Sequence, residues 1–242
     1  MQLKQLTLAV LTATSLLVAC SDEPKKSDKG TKTEQTALKA ADLPQKAEDQ
    51  YKANLALAAK TYENLYAQNP MRGLTKYQIT VNDYQRGDNS ATAKSTLTLE
   101  FSPHLFGGND IGAITLDSHD TITYSQELLA KGIVAHVENH IDTDNVTSLK
   151  AVLKEQLHAS DANIERLVSI LKNLKMQSDI YADDNVVATA EVAPFQVQEG
   201  DDSLDFKGLK EEVRYNMKTM PDGIFDLNLA VEPFTFLSLI HI

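Results

Sequence analysis

The chain has 242 residues, 42% hydrophobic and 24% charged, enough apolar material for a packed core and too much for wholesale disorder. Its 34 acidic side chains outnumber 23 basic ones, for a net charge of −11. That balance excludes a nucleic-acid phosphate track and a basic patch seeking anionic lipid headgroups.

At the N-terminus Lys4 precedes an apolar run from Leu6 to Val18, broken only by Thr and Ser, and Ala19 stands before Cys20, the only cysteine. The run is shorter than the ~20 apolar residues of a membrane span but suits the hydrophobic segment of a signal peptide. A small residue ahead of a lone cysteine resembles the lipobox of bacterial lipoproteins. The resemblance implies a diacylglyceryl group on Cys20, cleavage after Ala19, and a membrane partner reached through that anchor. An ordinary signal peptide or a buried free thiol would leave the coincidence of apolar run, small residue and sole cysteine unexplained. Cleavage removes one base and no acid, and modification consumes the one thiol, so stability must come from packing and hydrogen bonds rather than a disulfide. By the same resemblance, Ser21 favours sorting to the outer membrane; Asp22, one place later, keeps the inner membrane's periplasmic face as the alternative.

Residues 20–41 (Asp22, Glu23, Lys25, Lys26, Asp28, Lys29, Lys32, Glu34) are mixed-charge and almost devoid of large apolar groups. Such a segment cannot offset its ordering entropy and is expected to be a flexible tether. The domain proper is expected over 42–236. Asp42 is placed to cap a helix in which Ala47, Tyr51, Leu55, Ala58, Ala59, Tyr62, Leu65 and Tyr66 recur every three or four residues, ending before Asn69-Pro70. After Gly73 the period becomes two. Tyr77, Ile79 and Val81 alternate with polar residues, residues 86–89 form a turn, and Ala93, Ser95, Leu97, Leu99 and Phe101 alternate again, which predicts a half-buried hairpin.

Further strands are predicted at 111–116, 121–124 and 132–141, the last with Ile133, Ala135, Val137 and Ile141 inward. Two helices follow, one marked by Val146, Leu149, Val152, Leu153 and Leu157. Ile164, Leu167, Val168, Leu171 and Leu174 mark the other, capped by Ser160 or Asp161. Strands resume at 186–192 and 204–206. A last hairpin carries Leu209, Val213, Tyr215 and Met217 inward, turns at 221–223, and returns with Phe225, Leu227, Leu229 and Val231 inward. Alternation of this kind belongs to antiparallel sheets. The expected fold class is α+β: a twisted antiparallel sheet with an N-terminal amphipathic helix and a helical pair packed on one face.

The segment Tyr77-Gln78-Ile79-Thr80-Val81-Asn82-Asp83-Tyr84-Gln85-Arg86-Gly87, followed by Ser90-Ala91, resembles the first hairpin of the YdgA-like family of bacterial envelope proteins (domain of unknown function 945). The strands at Ser118–Tyr124 and the Asp205–Leu209 segment before a long hairpin sit where that family has similar elements. The likeness runs over 74–236. Asp88-Asn89 depart from the apolar or aromatic residue that commonly follows Arg-Gly there, and the helical pair at 146–174 is read as an elaboration. The family carries longer chains and no catalytic residue set. The last six residues, Leu237, Ser238, Leu239, Ile240, His241 and Ile242, are the translation of CTGTCTCTTATACACATC, a transposon adapter of sequencing libraries. They are expected to be adapter-derived, with the natural chain continuing past Phe236.

Chemistry-bearing motifs are sparse. His136, Glu138 and His140 share one strand face, but two imidazoles four strand positions apart are separated by about 13 Å, and one zinc needs each nitrogen within about 2.1 Å. His119 and Asp120 are neighbours whose side chains point to opposite faces of a strand, with no nucleophile context. The loop 106–110 lacks phosphate-loop spacing, and the acidic turns at 183–185 and 199–202 do not fit a calcium loop. No metal site, cofactor or catalytic residue is assigned, and Cys20 is the one site residue. The expectation is a non-enzymatic, lipid-anchored, periplasm-facing protein with an envelope protein partner and no nucleic acid. A lipid or lipoprotein carrier is the alternative, and a hydrolase with an unrecognised site comes third.

Overall fold

The computed structural model describes residues 40–67, 74–103, 108, 110–156, 158–199, 202–222, 225–231 and 235–237. Residues 1–39, with Cys20 and the segments expected to be a signal peptide and a tether, and the residues after Leu237 lie outside them. The fold is α+β, built on an eight-stranded sheet in the order β1-β2-β3-β4-β5-β6-β9-β10, with every neighbouring pair antiparallel. Its strands are β1 (Leu74–Arg86), β2 (Ser90–Phe101), β3 (Ala113–Thr123), β4 (Ile133–Ile141), β5 (Lys175–Tyr181) and β6 (Asn185–Val192). The last two are β9 (Leu209–Asn216) and β10 (Phe225–Val231). Between β6 and β9 the chain leaves this sheet for a smaller one, ordered β11-β8-β7, made of β7 (Phe195–Glu199), β8 (Asp202–Phe206) and β11 (Thr235–Leu237).

Helix α1 (Leu43–Ala67) follows a 3-10 turn at Ala40–Asp42. Its Leu43, Ala47 and Tyr51 bury against Ala91, Ala93, Ile122, Val134, Val137, Ile180 and Val186, so that one sheet face, here called inner, makes the main core. The side chains of Tyr62, Leu65 and Tyr66 lie outside the described residues. Helices α3 (Thr147–Glu155) and α4 (Asp161–Asn173) interrupt the meander between β4 and β5. Val152 of α3 joins Tyr77, Leu99 and Ile114 in a second cluster. Ser160 caps α4, its hydroxyl accepting from the Asn163 N–H at 3.3 Å. Leu157 lies outside the described residues. A five-residue helix, α2 (Gln126–Ala130), capped in the same way by Ser125, links β3 to β4.

The structure corrects the sequence-based strand boundaries in three places. The strands predicted at 111–116 and 121–124 are one strand, β3, because Asp117, Ser118, His119 and Asp120 continue the ladder to β2 without a break. Lys175–Tyr181 is a strand that periodicity misses, and Phe195–Glu199 is a further unpredicted strand although Phe195 and Val197 alternate with glutamines. The first hairpin pairs as expected but with a bulge: Val81 faces Ser95 while Asp83 faces Lys94, leaving Asn82 as the extra residue of β1. Its turn is pinned from the residue after β3, where the Tyr124 hydroxyl donates to Gly87 O at 2.6 Å and Ser90 O at 3.0 Å.

Candidate functional site

Asp120 is inward-facing on β3 and 2% exposed. Antiparallel register brings Ala93 beside it from β2 and Asn139 from β4, and α1 lays Tyr51 over it. The Tyr51 hydroxyl and the Asn139 amide donate to its two carboxylate oxygens, and Ser95 Oγ lies 3.2 Å from Oδ2. Ser118 completes the knot, 2.7 Å from Ser95 Oγ and accepting from the Asn139 amide at 3.2 Å. Burial raises the Asp120 pKa above the ordinary aspartate value, and these donors pull the other way without cancelling it. Burial, then the adjacent carboxylate, raise the Tyr51 pKa as well. The knot is a buried polar clasp between helix and sheet.

The outer face is of a different kind. One cross-strand row runs Gln85, Thr92, Thr121, Glu138, Gln177, Thr189, Glu212 and Asn228 across all eight strands, and each residue is polar. Beside it Asp83, Lys94, His119 and His140 form a second row across the first four strands. Where the β1 bulge locally breaks the regular pleat, these two rows line a concavity of about 270 Å³ with Asp83, Gln85, Thr92, Lys94, His119 and Thr121 around it. It offers an ammonium, an imidazole, two hydroxyls, an amide and a carboxylate to solvent. That set can recognise a polar partner. Next to it Asn82 donates to Thr96 Oγ1 at 2.7 Å, Thr96 to Asp117 Oδ1 at 2.6 Å, and Asn145 to Asp117 Oδ2 at 2.7 Å, so the outer surface is itself ordered by hydrogen bonds.

The sequence-predicted candidates separate. His119 is 54% exposed on the outer face with its Nε2 3.6 Å from Asp142 Oδ2, while Asp120 points inward; the adjacent pair is not a dyad. His136 and His140 both stand on the outer face of β4, as a strand requires. The partner of His136 is Asp179 of β5, its Nδ1 2.7 Å from Oδ1, with Glu138 Oε1 3.9 Å from the other ring nitrogen. Among the described residues no group of three or more His, Cys, Asp or Glu is arranged to hold a metal ion. The acidic turn at 183–185 is structural: Asp184, at φ 68°, takes the Gln50 amide at 3.1 Å and the Lys218 ammonium at 2.7 Å. Residues 106, 107, 109, 200 and 201 of the other two candidate loops are outside the described residues.

Two groups escape sequence reasoning. Asp179 finds His136 only through the β4–β5 pairing, 43 positions away. Glu211 on β9 is 3% exposed, in the same inward parity as Leu209 and Val213, and burial pushes its carboxyl up to about 7. Strand parity alone was a sufficient signal for it, had a charge been admitted to an inward position. Among the described residues no helix is long and apolar enough to cross a membrane. No family model, curated protein or solved structure matches the chain.

Proposed function

We propose that the chain is a YdgA-like envelope protein, held at the periplasmic side of the outer membrane by a lipid on Cys20. In this reading its twisted sheet, with the helices gathered on one face, is a non-enzymatic module that presents the other face to an envelope protein. The observation that carries the binding role is the unbroken polar row from Gln85 to Asn228, a broad hydrogen-bonding surface left open to water. What supports binding over carriage of an acyl chain is the helix–sheet interface, filled by Tyr51, Ile122, Tyr124 and Val134, each at most 2% exposed. What supports it over hydrolysis is the divergence of His119 from Asp120 and the burial of the Asp120 knot.

The anchor is tested by growing cells on labelled palmitate. The protein takes up label and fractionates with the outer membrane, and Cys20→Ala abolishes both. Label that persists in Cys20→Ala, or an unprocessed soluble protein, would end this reading. Native mass spectrometry of the detergent-free domain separates binding from carriage, since a co-purifying lipid would favour the carrier.

A further inference from the structure

The two edges of the large sheet are not alike. Strand β1 carries register shifts after Leu74 and Val81 together with Lys76 and Arg86, devices that discourage edge-to-edge pairing. Strand β10 (Phe225–Val231) pairs with β9 over seven consecutive residues with no shift, contains no Lys, Arg or Pro, and among the described residues has no neighbour on its other side. It also carries Leu229, 52% exposed, the one exposed large hydrophobic among the described residues. A flat, bulge-free edge with an exposed apolar side chain invites another strand.

We infer that this edge is an interface between two copies of the chain, with β10 pairing antiparallel to β10 of the second copy about a two-fold axis through Asn228. This register is the one that pairs all seven residues of the strand, Phe225 opposite Val231 at each end. With Asn228 opposite Asn228, Leu227 falls opposite Leu229 and Leu229 opposite Leu227, which covers the exposed leucine with an apolar partner on the same sheet face. On the other face Asp226, the only charge of the strand, falls opposite Ala230, so no acid meets an acid although the chain is strongly acidic overall. A shift of one position either way places Leu229 opposite a residue of the wrong face. The contact is isologous and closes at two copies, joining the eight-stranded sheets into one continuous sheet.

Light scattering on the full chain at micromolar concentration tests the stoichiometry. The expected mass is twice that of the monomer, and Leu229→Lys halves it while leaving the circular dichroism unchanged. Ala230→Lys keeps the dimer and makes it salt-sensitive, because the new ammonium faces Asp226 of the second copy. The register is read by crosslinking in a Cys20→Ser background. Opposed Cα atoms in an antiparallel pair lie about 4.5–5.5 Å apart, within disulfide reach, so Asn228→Cys crosslinks to its mate under mild oxidation. Asp226→Cys, about 14 Å from its own counterpart, does not. Should Leu229→Lys unfold, this cysteine pair decides alone. A monomer at every concentration, open higher oligomers, loss of the dimer in Ala230→Lys, or equal crosslinking at 226 and 228 overturns the inference.

Discussion

Asp120 and Glu211 lie in a single cross-strand row of the inner face, which runs Tyr84, Ala93, Asp120, Asn139, Met176, Ala190, Glu211 and Leu229. Four strand intervals, about 19 Å, separate the two acids. Both are almost fully buried, yet Asp120 gathers donors from Tyr51, Ser95 and Asn139, whereas Glu211 has no hydrogen-bond or ion-pair partner among the described residues. The same burial therefore has opposite consequences: one acid clasps a helix to the sheet, and the other is held there at a cost whenever it ionises.

That cost gives a pH dependence. Glu211 ordinarily titrates at 4.5 and here is pushed up to about 7 by burial alone. Between those values the folded chain keeps a proton that the unfolded chain has lost, so stability is fully present below pH 4.5 and is lost as pH rises to about 7. Glu211→Gln removes this fall. Chemical denaturation should find the variant more stable than wild type at pH 8 by up to about 3 kcal/mol and equal to it at pH 4. A difference that does not change between those two pH values would show that the carboxyl is not buried as described.

Tyr51→Phe probes the clasp from the other side. The variant keeps the ring packed against Tyr84, at 5.9 Å between centroids, and deletes only the hydroxyl that donates to Asp120. The expected loss is about 1–3 kcal/mol, the cost of a buried acceptor deprived of one donor. The hydroxyl is one of the groups that pull the raised Asp120 pKa back down, so its removal lifts that pKa further. The variant should consequently be least harmed in acid, where Asp120 is protonated, and most harmed at neutral pH. Unfolding midpoints for wild type, Tyr51→Phe, Asp120→Asn and the double variant yield the coupling; additive losses would mean the two side chains do not cooperate.

Backbone strain supplies a third test. Gly208 joins β8 to β9 at φ +125°, and a Cβ there would lie 3.3 Å from Val192 O on the strand paired with β9. Gly208→Ala must shift the entry into β9 or hold an L-residue where few adopt such a φ, at a cost of about 1–3 kcal/mol. The measurement is the denaturation midpoint. A neutral substitution would indicate that this connection bends freely.

The sheet was legible wherever an inward position was apolar. The turn at 86–89, the inward Ala135, Val137 and Ile141 of β4, and the Ser160 cap of α4 each follow from local pattern; Ile133 does not, because a register shift before Ala135 sets it opposite Tyr181 and turns Val134 into the inner core instead. The misses in the large sheet share a cause, polar residues on inward positions, whereas Phe195–Glu199 alternates Phe195 and Val197 with glutamines and escapes prediction for its shortness alone. Ser118 and Asp120 break the apolar alternation of β3 although the backbone does not break, and Ser178 between Gln177 and Asp179 removes the alternation from β5 altogether. Those same residues build the Asp120 knot and the His136–Asp179 pair. Such groups are paid for by partners 19 to 69 positions away, and a period-two count cannot see that distance.

The outer face should respond differently from the inner one. His119 and Glu138 are exposed, and of the three candidate side chains only His136 has a close partner, Asp179 at 2.7 Å. Replacing His119, His136 and Glu138 together by Ala should lower stability by less than about 2 kcal/mol, most of it from the lost His136–Asp179 contact. Added zinc should leave the melting temperature of wild type and variant alike unchanged. His119 and His140 face each other across β3 and β4, but among the described residues no three ligating side chains converge on one ion, whereas a zinc site filled at a hundredfold its Kd would add about 2.7 kcal/mol. A zinc-dependent stabilisation lost in the triple variant would reassign this face as a metal centre. If the face instead serves a protein partner, the triple variant keeps its fold while its association weakens, and pull-down with wild type beside the variant separates the two outcomes.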